Sequence, residues 1–454
     1  MEIAEDLPIT LHRESSVSLA VQIADALRNA ATHGALRGGD RLPSSRALAQ
    51  RLGVSRTVTS AAYEQLHAEG WIDGRHGSGT FVTAAPGPLP AQPQSVERTP
   101  SNDELIDLAP GAPSAANIDL AAWRRAWRAA ADGPPQIRPY YEGLPTYRTA
   151  VAEHLLRHRG LSSTATVLAT NGTSSATGEI AAAVLERGDV VAMEEPGYLR
   201  SVGALRAAGM QVVPVPVDRE GLCVDAIPAA ARAVYCTPAH QYPLGARMPA
   251  ARRIQLVELA RRAGLLVIED DYDGELRYDT APLPLLATIG PDVVVHLGTT
   301  SKILTPALGV GWMVAPPRVA DAVLRYREWT GTKPSPAGQR VVVELARSGD
   351  LARHLRRIRK EMSERRTETV DTLRRAGISV TGDDAGAHVV LPLPSSDAET
   401  ASVARGRDAG LLLDGLRRHH IGAPQTFGIA LGYTACNRAE LTAALELIVS
   451  TVVL

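Results

Sequence analysis

Of the 48 Lys and Arg residues in this 454-residue chain, only Lys302, Lys333 and Lys360 are lysines. Chemistry that requires a primary amine therefore has three candidates. Lys302 closes the run Gly298-Thr299-Thr300-Ser301-Lys302, in which hydroxyls that could ligate a phosphate stand beside an amine. Upstream, Glu269-Asp270-Asp271-Tyr272-Asp273-Gly274-Glu275 gathers acids that suit either a metal site or solvated loop charge. Further upstream, Asn171-Gly172-Thr173-Ser174-Ser175 precedes a helical segment, and small residues opening a helix leave bare N–H groups for an anion. Each signal alone has an ordinary reading: a surface lysine, loop charge, a helix start that binds nothing.

Their positions along the chain join them. Each follows a short apolar run: Thr166-Val167-Leu168-Ala169, Leu265-Leu266-Val267-Ile268 and Val293-Val294-Val295-His296. Further runs lie at 190–193, 212–215 and 233–236, with helical segments such as 174–186, 200–208 and 250–263 between several of them. From about 106 onward this alternation predicts a largely parallel sheet covered on both faces, with ligand sites at the strand C-terminal ends. An acid at a strand end, 32 residues before Lys302, with a Gly-x-Ser helix start upstream, is the layout needed to hold pyridoxal phosphate. The amine meets the aldehyde, a carboxylate keeps the ring nitrogen protonated, and a helix terminus with hydroxyls takes the phosphate.

Composition sets the frame. A net charge of -1 and 45% hydrophobic residues exclude disorder for most of the chain. At roughly 150 residues per domain the length suggests about three domains. No apolar run approaches the roughly 18–20 residues of a membrane span. The acidic start Met1-Glu2-Ile3-Ala4-Glu5-Asp6 is not that of a secretory signal. Cys223, Cys236 and Cys436 lie far apart without a CxxC, which argues against a disulfide framework or cysteine-based metal site and makes the cytoplasm the expected compartment.

Residues 10–85 read as a separate helical unit ending in a hairpin. Ser44 is a plausible cap for a helix through Leu52, Gly53 closes it, and Ser55 caps the next. Trp71-Ile72 opens a strand, Asp73–Gly79 reads as a glycine-rich turn, and Thr80–Thr83 as the return strand. Two helices on a tight turn followed by a hairpin make a winged helix-turn-helix. The caps put Arg46 and Arg56 near helix N-termini, where guanidinium and backbone N–H groups can share a phosphate or reach a base edge. The excess of arginine over acid here is small, so charge alone does not decide. Pro86, Pro88, Pro90, Pro93 and Pro100 mark residues 86–105 as a linker, which in polyproline form would span up to roughly 60 Å.

Two resemblances follow. Leu42-Pro43-Ser44-Ser45-Arg46, Gly53-Val54-Ser55-Arg56-Thr57-Val58 and Gly77-Ser78-Gly79-Thr80-Phe81-Val82 stand in succession as in the DNA-binding domain of GntR-family repressors. That resemblance implies operator contacts from Ser44, Arg46, Ser55, Arg56, Thr57, His76 and Gly77. Glu195-Pro196-Gly197-Tyr198, Thr237-Pro238-x-His240-Gln241-Tyr242-Pro243-x-Gly245, the acidic run ending at Tyr278, and Gly298-Thr299-x-Ser301-Lys302 resemble fold type I aminotransferases. With the winged helix in front, nearly the whole chain resembles MocR/GabR-type regulators.

The expected architecture is accordingly an α/β one: a winged helix-turn-helix, then a pyridoxal phosphate-binding domain at 106–454, with a large lobe at about 140–320 and a small lobe at about 340–454. The resemblance implies that Lys302 bonds the cofactor, Asp270 meets its ring nitrogen, Tyr272 its phenolic oxygen, and Tyr198 stacks on the ring. Thr173, Ser174, Thr299 and Ser301 would hold the phosphate, and Tyr140 or Tyr141 would reach that of a partner subunit in a domain-swapped homodimer. Arg200 matches a position that contacts an amino-acid carboxylate in a relative.

The chain also departs from the pattern. Gly309 replaces the usual phosphate-binding arginine seven residues after the lysine, a loss of roughly 1.5–3 kcal/mol, or about ten- to a hundredfold in affinity. Ala430 replaces the arginine that grips a substrate carboxylate, Tyr242 an asparagine, and Ser174-Ser175 a frequent pair of glutamines. The expected function is a regulator that binds operator DNA and senses an amino compound or pyridoxal phosphate itself. The alternative is a working aminotransferase with an appended DNA-binding module.

Overall fold

The computed structural model describes residues 9–75, 79–83, 105–111, 113, 117–133, 136–161, 165–278, 282–382 and 385–452. His76, Gly77 and the linker up to residue 104 lie outside them. The chain divides into two compact units, Met1–Pro100 and Ser101–Leu454.

In the first unit, helices Leu19–Thr32, Ser45–Leu52 and Arg56–Ala68 pack on a three-stranded antiparallel sheet. Its strands are Arg41–Leu42, Gly79–Val82 and Ile72–Arg75, with Gly79–Val82 in the middle. Serines start all three helices, each accepting a backbone N–H: Ser18 from Val21, Ser44 from Ala47, Ser55 from Val58. Gly53 ends the second helix in the left-handed region (φ 63°), a conformation open to glycine without strain. Two side chains then lock the helix pair: Thr59 donates to the Ser45 carbonyl (2.8 Å) and Tyr63 to that of Pro43 (2.7 Å). Ile23, Leu27, Leu48, Ala62, Leu66 and Val82 fill the core. One expectation is corrected: Asp73, Gly74 and Arg75 extend the strand, pairing with Phe81, Thr80 and Gly79, rather than forming the turn. Backbone pairing outweighs the poor strand propensity of Asp and Gly at that edge.

The second unit is built on an eight-stranded sheet. Its order is Thr166–Thr170, Gly311–Ala315, Val294–Thr299, Leu266–Asp271, Ala231–Cys236, Val190–Glu195, Gln211–Asp218 and Gly221–Leu222. The five strands from Val294–Thr299 to Gln211–Asp218 are mutually parallel; Gly311–Ala315 and Gly221–Leu222 run antiparallel to their neighbours. Central strands are apolar on both sides. Val267 enters one core cluster while Leu266 and Ile268 enter the other, which is why no polar alternation marked them in sequence. A smaller antiparallel sheet, His388–Pro392, Gly428–Gly432 and Asp414–Gly415, packs beside the helix Asp350–Arg375. Strand Ile106–Asp107 runs parallel to Leu411–Leu412 in a separate two-stranded sheet, tying the start of this unit to the segment just before Asp414–Gly415. No helix among the described residues is long and apolar enough to cross a membrane.

Truncating a fully buried leucine in so small a unit should be costly. Leu66→Ala is expected to lose about 2–5 kcal/mol, a large share of an ordinary domain's 5–15 kcal/mol. Urea unfolding of the full chain, followed at the helical signal, would show the first unit melting early.

Candidate functional site

Strand register assembles the site. Thr170 pairs with Gly311, and Gly311 with Thr299, so the turns after Thr166–Thr170 and Val294–Thr299 leave the sheet at one end, a strand apart. Asp270 lies one strand further, in register with Leu297. A Cβ on Gly311 would fall 2.5 Å from the Gly298 carbonyl and 2.8 Å from the Thr170 hydroxyl, which shows how closely these strand ends approach.

Asp270 is 2% exposed. Its Oδ2 accepts from the Tyr235 hydroxyl, which accepts in turn from Ser201 at 3.1 Å. Its Oδ1 is buried without a hydrogen-bond partner among the described residues, although the Thr173 hydroxyl is near enough to act on the carboxyl. Burial pushes this carboxyl up to about 6, against the lowering pull of Tyr235 and Thr173. An unpaired carboxylate oxygen inside a protein is a costly arrangement unless a cationic donor meets it. A protonated ring nitrogen is such a donor, so the residues present fit pyridoxal phosphate.

Lys302 follows the strand Val294–Thr299, and its Nζ donates to the Gly111 carbonyl at 2.5 Å. Burial lowers its pKa, opposed by Asp273 and Asp270, which makes the amine easier to deprotonate and hence more nucleophilic. Gly111 must be glycine: its φ is +85°, and a Cβ there would lie 2.7 Å from the amine.

The phosphate-binding candidates fall into two groups. Helix Thr173–Val184 begins at Gly172 without a side-chain cap, leaving its first N–H groups to an anion; Thr173 is buried and Ser174 half-buried there. Thr299 and Ser301 are drawn together, Thr299 Oγ1 donating to Ser301 Oγ at 2.9 Å and accepting from its N–H at 3.1 Å. Gly309 is in the left-handed region at the end of a short 3-10 turn, with open space around it.

Tyr198 opens the helix Leu199–Ala207 and meets Tyr242 edge-on, ring centres 5.5 Å apart. Tyr272 lies on the turn after Asp270 and shares a hydrogen bond with His240 (3.1 Å). Arg200 is exposed, close enough to Lys302 to depress its pKa, and forms no ion pair among the described residues. Tyr141 is half-buried, its carbonyl accepting from Arg327 at 2.6 Å, and Tyr140 is exposed.

Several buried polar side chains had no distinct signal in the sequence. His240 sits between Tyr272 and Asp273, His388 donates to the Pro243 carbonyl (2.9 Å), and Tyr235 holds Asp270. Glu194, pushed up to about 7 by burial, accepts from the Thr237 N–H (3.1 Å) and hydroxyl and so fixes the 237–242 loop. Arg159, 2% exposed, binds Asp271 (2.6 Å) and Glu275 (3.3 Å); Glu275 also takes His154 and Arg359, both at 3.0 Å. Burial opposes its ionisation, yet those partners hold the Glu275 carboxyl down at about 2. Ala430 lies buried in an apolar group with Val390 and Leu416.

In the first unit, Ser44, Arg46, Ser55, Arg56 and Thr57 are all exposed at the starts of two adjoining helices. Neither Arg46 nor Arg56 is engaged in an ion pair among the described residues, so both guanidinium groups are available to phosphate or base edges.

Comparison with known proteins divides the chain at the same place. Residues 103–447 match the family model "Aminotransferase class I and II", and residues 19–82 match "Bacterial regulatory proteins, gntR family". The chain is 35% identical, over 81% of its length and 82% of the relative's, to the HTH-type pyridoxine biosynthesis transcriptional regulator PdxR of Corynebacterium glutamicum. It is 31% identical, over 94% and 92%, to the probable rhizopine catabolism regulatory protein MocR of Rhizobium meliloti. Among solved structures, Pyrococcus horikoshii kynurenine aminotransferase aligns with a TM-score of 0.70 at 25% identity, covering 77% of this chain and 91% of that one.

The raised Asp270 carboxyl carries a pH prediction. Because its folded value lies above the unfolded 3.8, its stabilising contribution is complete below that pH and is lost as pH rises through about 6. Above pH 7 an ionised Asp270 thus burdens the cofactor-free fold by about 3 kcal/mol. Asp270→Asn is expected to raise urea resistance of the cofactor-free protein at pH 8 and to leave it nearly unchanged at pH 4.

Proposed function

The chain belongs to the MocR-type branch of the GntR-family transcriptional regulators, a winged helix joined to an aminotransferase class I and II domain, and on that premise we propose that it carries pyridoxal phosphate on Lys302 and uses the cofactor as its signal. The carrying observation is the buried, unpartnered Asp270 Oδ1, placed one strand from the Lys302 turn. When bound, pyridoxal phosphate supplies an aldehyde that an amine can bond and a ring nitrogen that draws electrons. Lys302 presents the amine, Asp270 holds the ring-nitrogen proton, and Tyr198 covers the ring. Thr173, Ser174, Thr299, Ser301 and the bare N–H groups at Gly172–Ser175 orient the phosphate.

Two features favour the cofactor itself as the signal. The chain keeps residue types suited to hold it, whereas Ala430, in an apolar cluster, stands where a substrate-gripping arginine would. A relative at 35% identity is named for pyridoxine biosynthesis. Loss of the Gly309-position arginine weakens the grip, as a reversible sensor requires. The same apolar cluster argues against steady transamination of α-amino acids. A second reading, an amino compound as effector, is favoured by the unpaired Arg200 beside Lys302.

A second copy of the chain completes the assembly. Ile137 (96% exposed) and Trp329 (86% exposed) are large apolar side chains left bare, near Tyr140 and Tyr141 in sequence or at the end of the helix Pro317–Thr330. The dimer presents two winged helices to operator DNA through Arg46, Arg56, Ser44, Ser55, Thr57, His76 and Gly77, in the cytoplasm.

The purified protein with added pyridoxal phosphate is expected to absorb visible light, and Lys302→Ala to lose that band; a colourless wild type under saturating cofactor overturns the reading. In DNA-binding titrations, cofactor alone is expected to change operator affinity by about 5- to 150-fold. A response only to amino compounds selects the Arg200 reading, and turnover at about 1–10³ per second selects the enzyme.

Arg46→Ala and Arg56→Ala provide a separate test of the interface. Each is expected to weaken operator binding and, for a phosphate contact, to reduce the logarithmic salt slope by about 1.

A further inference from the structure

We propose that His240, held by Asp273, is a positioning residue that fixes the direction of the Tyr272 hydroxyl and presents its proton to the cofactor's phenolic oxygen. The inference rests on pyridoxal phosphate being bonded to Lys302. His240 Nδ1 stands 2.7 Å from Asp273 Oδ2 and 3.1 Å from the Tyr272 oxygen, and His240 and Asp273 are 2% and 4% exposed. In so buried a place a bare imidazole nitrogen facing a carboxylate would set lone pair against lone pair. The proton therefore sits on Nδ1, in the neutral ring and in the imidazolium alike.

That N–H is shared with the Tyr272 oxygen, which accepts on this side. Asp273 also draws on the Tyr272 hydroxyl, but its Oδ2 is already engaged by the His240 N–H at 2.7 Å, so the Tyr272 proton can turn to a phenolic oxygen placed before it. Burial, then the nearby Asp273 charge, holds this hydroxyl well above its usual range, so it stays protonated. The pair is also pinned from behind. Gly386 has φ +74°, and a Cβ there would lie 2.4 Å from His240 Cε1 and 2.6 Å from Asp273 Oδ2.

The other titratable groups facing this cluster are accounted for. Asp270, Asp273 and Arg200 act on Lys302, and Tyr242 adjoins Tyr272 edge-on at 5.8 Å. His388 lies 5.2 Å from His240, ring centre to centre, but is pushed down to about 3 by burial and then His240, and stays neutral over the working range. His240 with Asp273 is thus the arrangement that sets which way Tyr272 donates, much as a carboxylate orients an imidazole in other sites.

The experiment is a pH titration of the visible band of the full-length protein loaded with pyridoxal phosphate. A phenolic oxygen deprived of its donor holds the neighbouring lysine-linkage proton more tightly, so the midpoint rises. Tyr272→Phe and His240→Leu are each expected to raise it by about one pH unit, tenfold in proton affinity. The double variant is expected to rise no further than Tyr272→Phe alone. His240→Asn, which keeps an N–H near the Nδ1 position, is expected to titrate like wild type. Asp273→Asn, which removes the charge at nearly constant volume, is expected to shift the same way as His240→Leu and covers the case in which the leucine variant does not fold. A shift with Tyr272→Phe but none with His240→Leu or Asp273→Asn overturns the positioning role, as does a double variant whose shifts add. Absence of any band in wild type overturns the cofactor reading and this inference with it.

Discussion

An ionised carboxylate inside a protein must be paid for by a partner, and Asp270 has one free oxygen with none. Much of the second unit can be understood as the support of that imbalance. Tyr235 and Ser201 fix one oxygen by a chain of hydroxyls, and the parallel strands on both sides exclude water from the other. A carboxylate held this way cannot relax toward a nearby side chain. It retains its affinity for a cation brought from outside, at the expense of the empty fold.

The surrounding ion pairs make the turn after Asp270 stiff. Arg159 reaches from the helix Pro145–Arg159 to Asp271 and Glu275, and Arg359 reaches from the helix Asp350–Arg375 to the same Glu275. Removing either arginine would leave buried acid uncompensated, a larger disturbance than the absence of the whole network. The network binds the two helices to the short segment that carries Asp270, Tyr272 and Asp273. The position of the candidate site is consequently set by residues that would never touch a ligand.

What was legible in the sequence was local. Ser44, Gly53 and Ser55 announced helix ends because caps act over three or four residues, and the runs before Asp270 and Lys302 announced strands because apolar runs are contiguous. What was not legible was long-range. Tyr235 is 35 residues from Asp270, His240 is 33 from Asp273, and Arg159 is 116 from Glu275. No periodicity records such meetings, because they depend on strand order, and an order that inserts Gly311–Ala315 between Thr166–Thr170 and Val294–Thr299 follows from packing alone. The turn expected at Asp73–Arg75 failed for the related reason that partner pairing outweighed local turn propensity.

The hydrogen bond from Lys302 to the Gly111 carbonyl has a consequence for how news of occupancy travels. A nitrogen committed to an aldehyde carbon has fewer hydrogens to offer, so the carbonyl must find another companion or let go. Gly111 lies a few residues beyond Ile106–Asp107, which pairs with Leu411–Leu412. On the reading that Lys302 bonds the cofactor, occupancy would withdraw a hydrogen bond from the Gly111 backbone, near the start of the second unit.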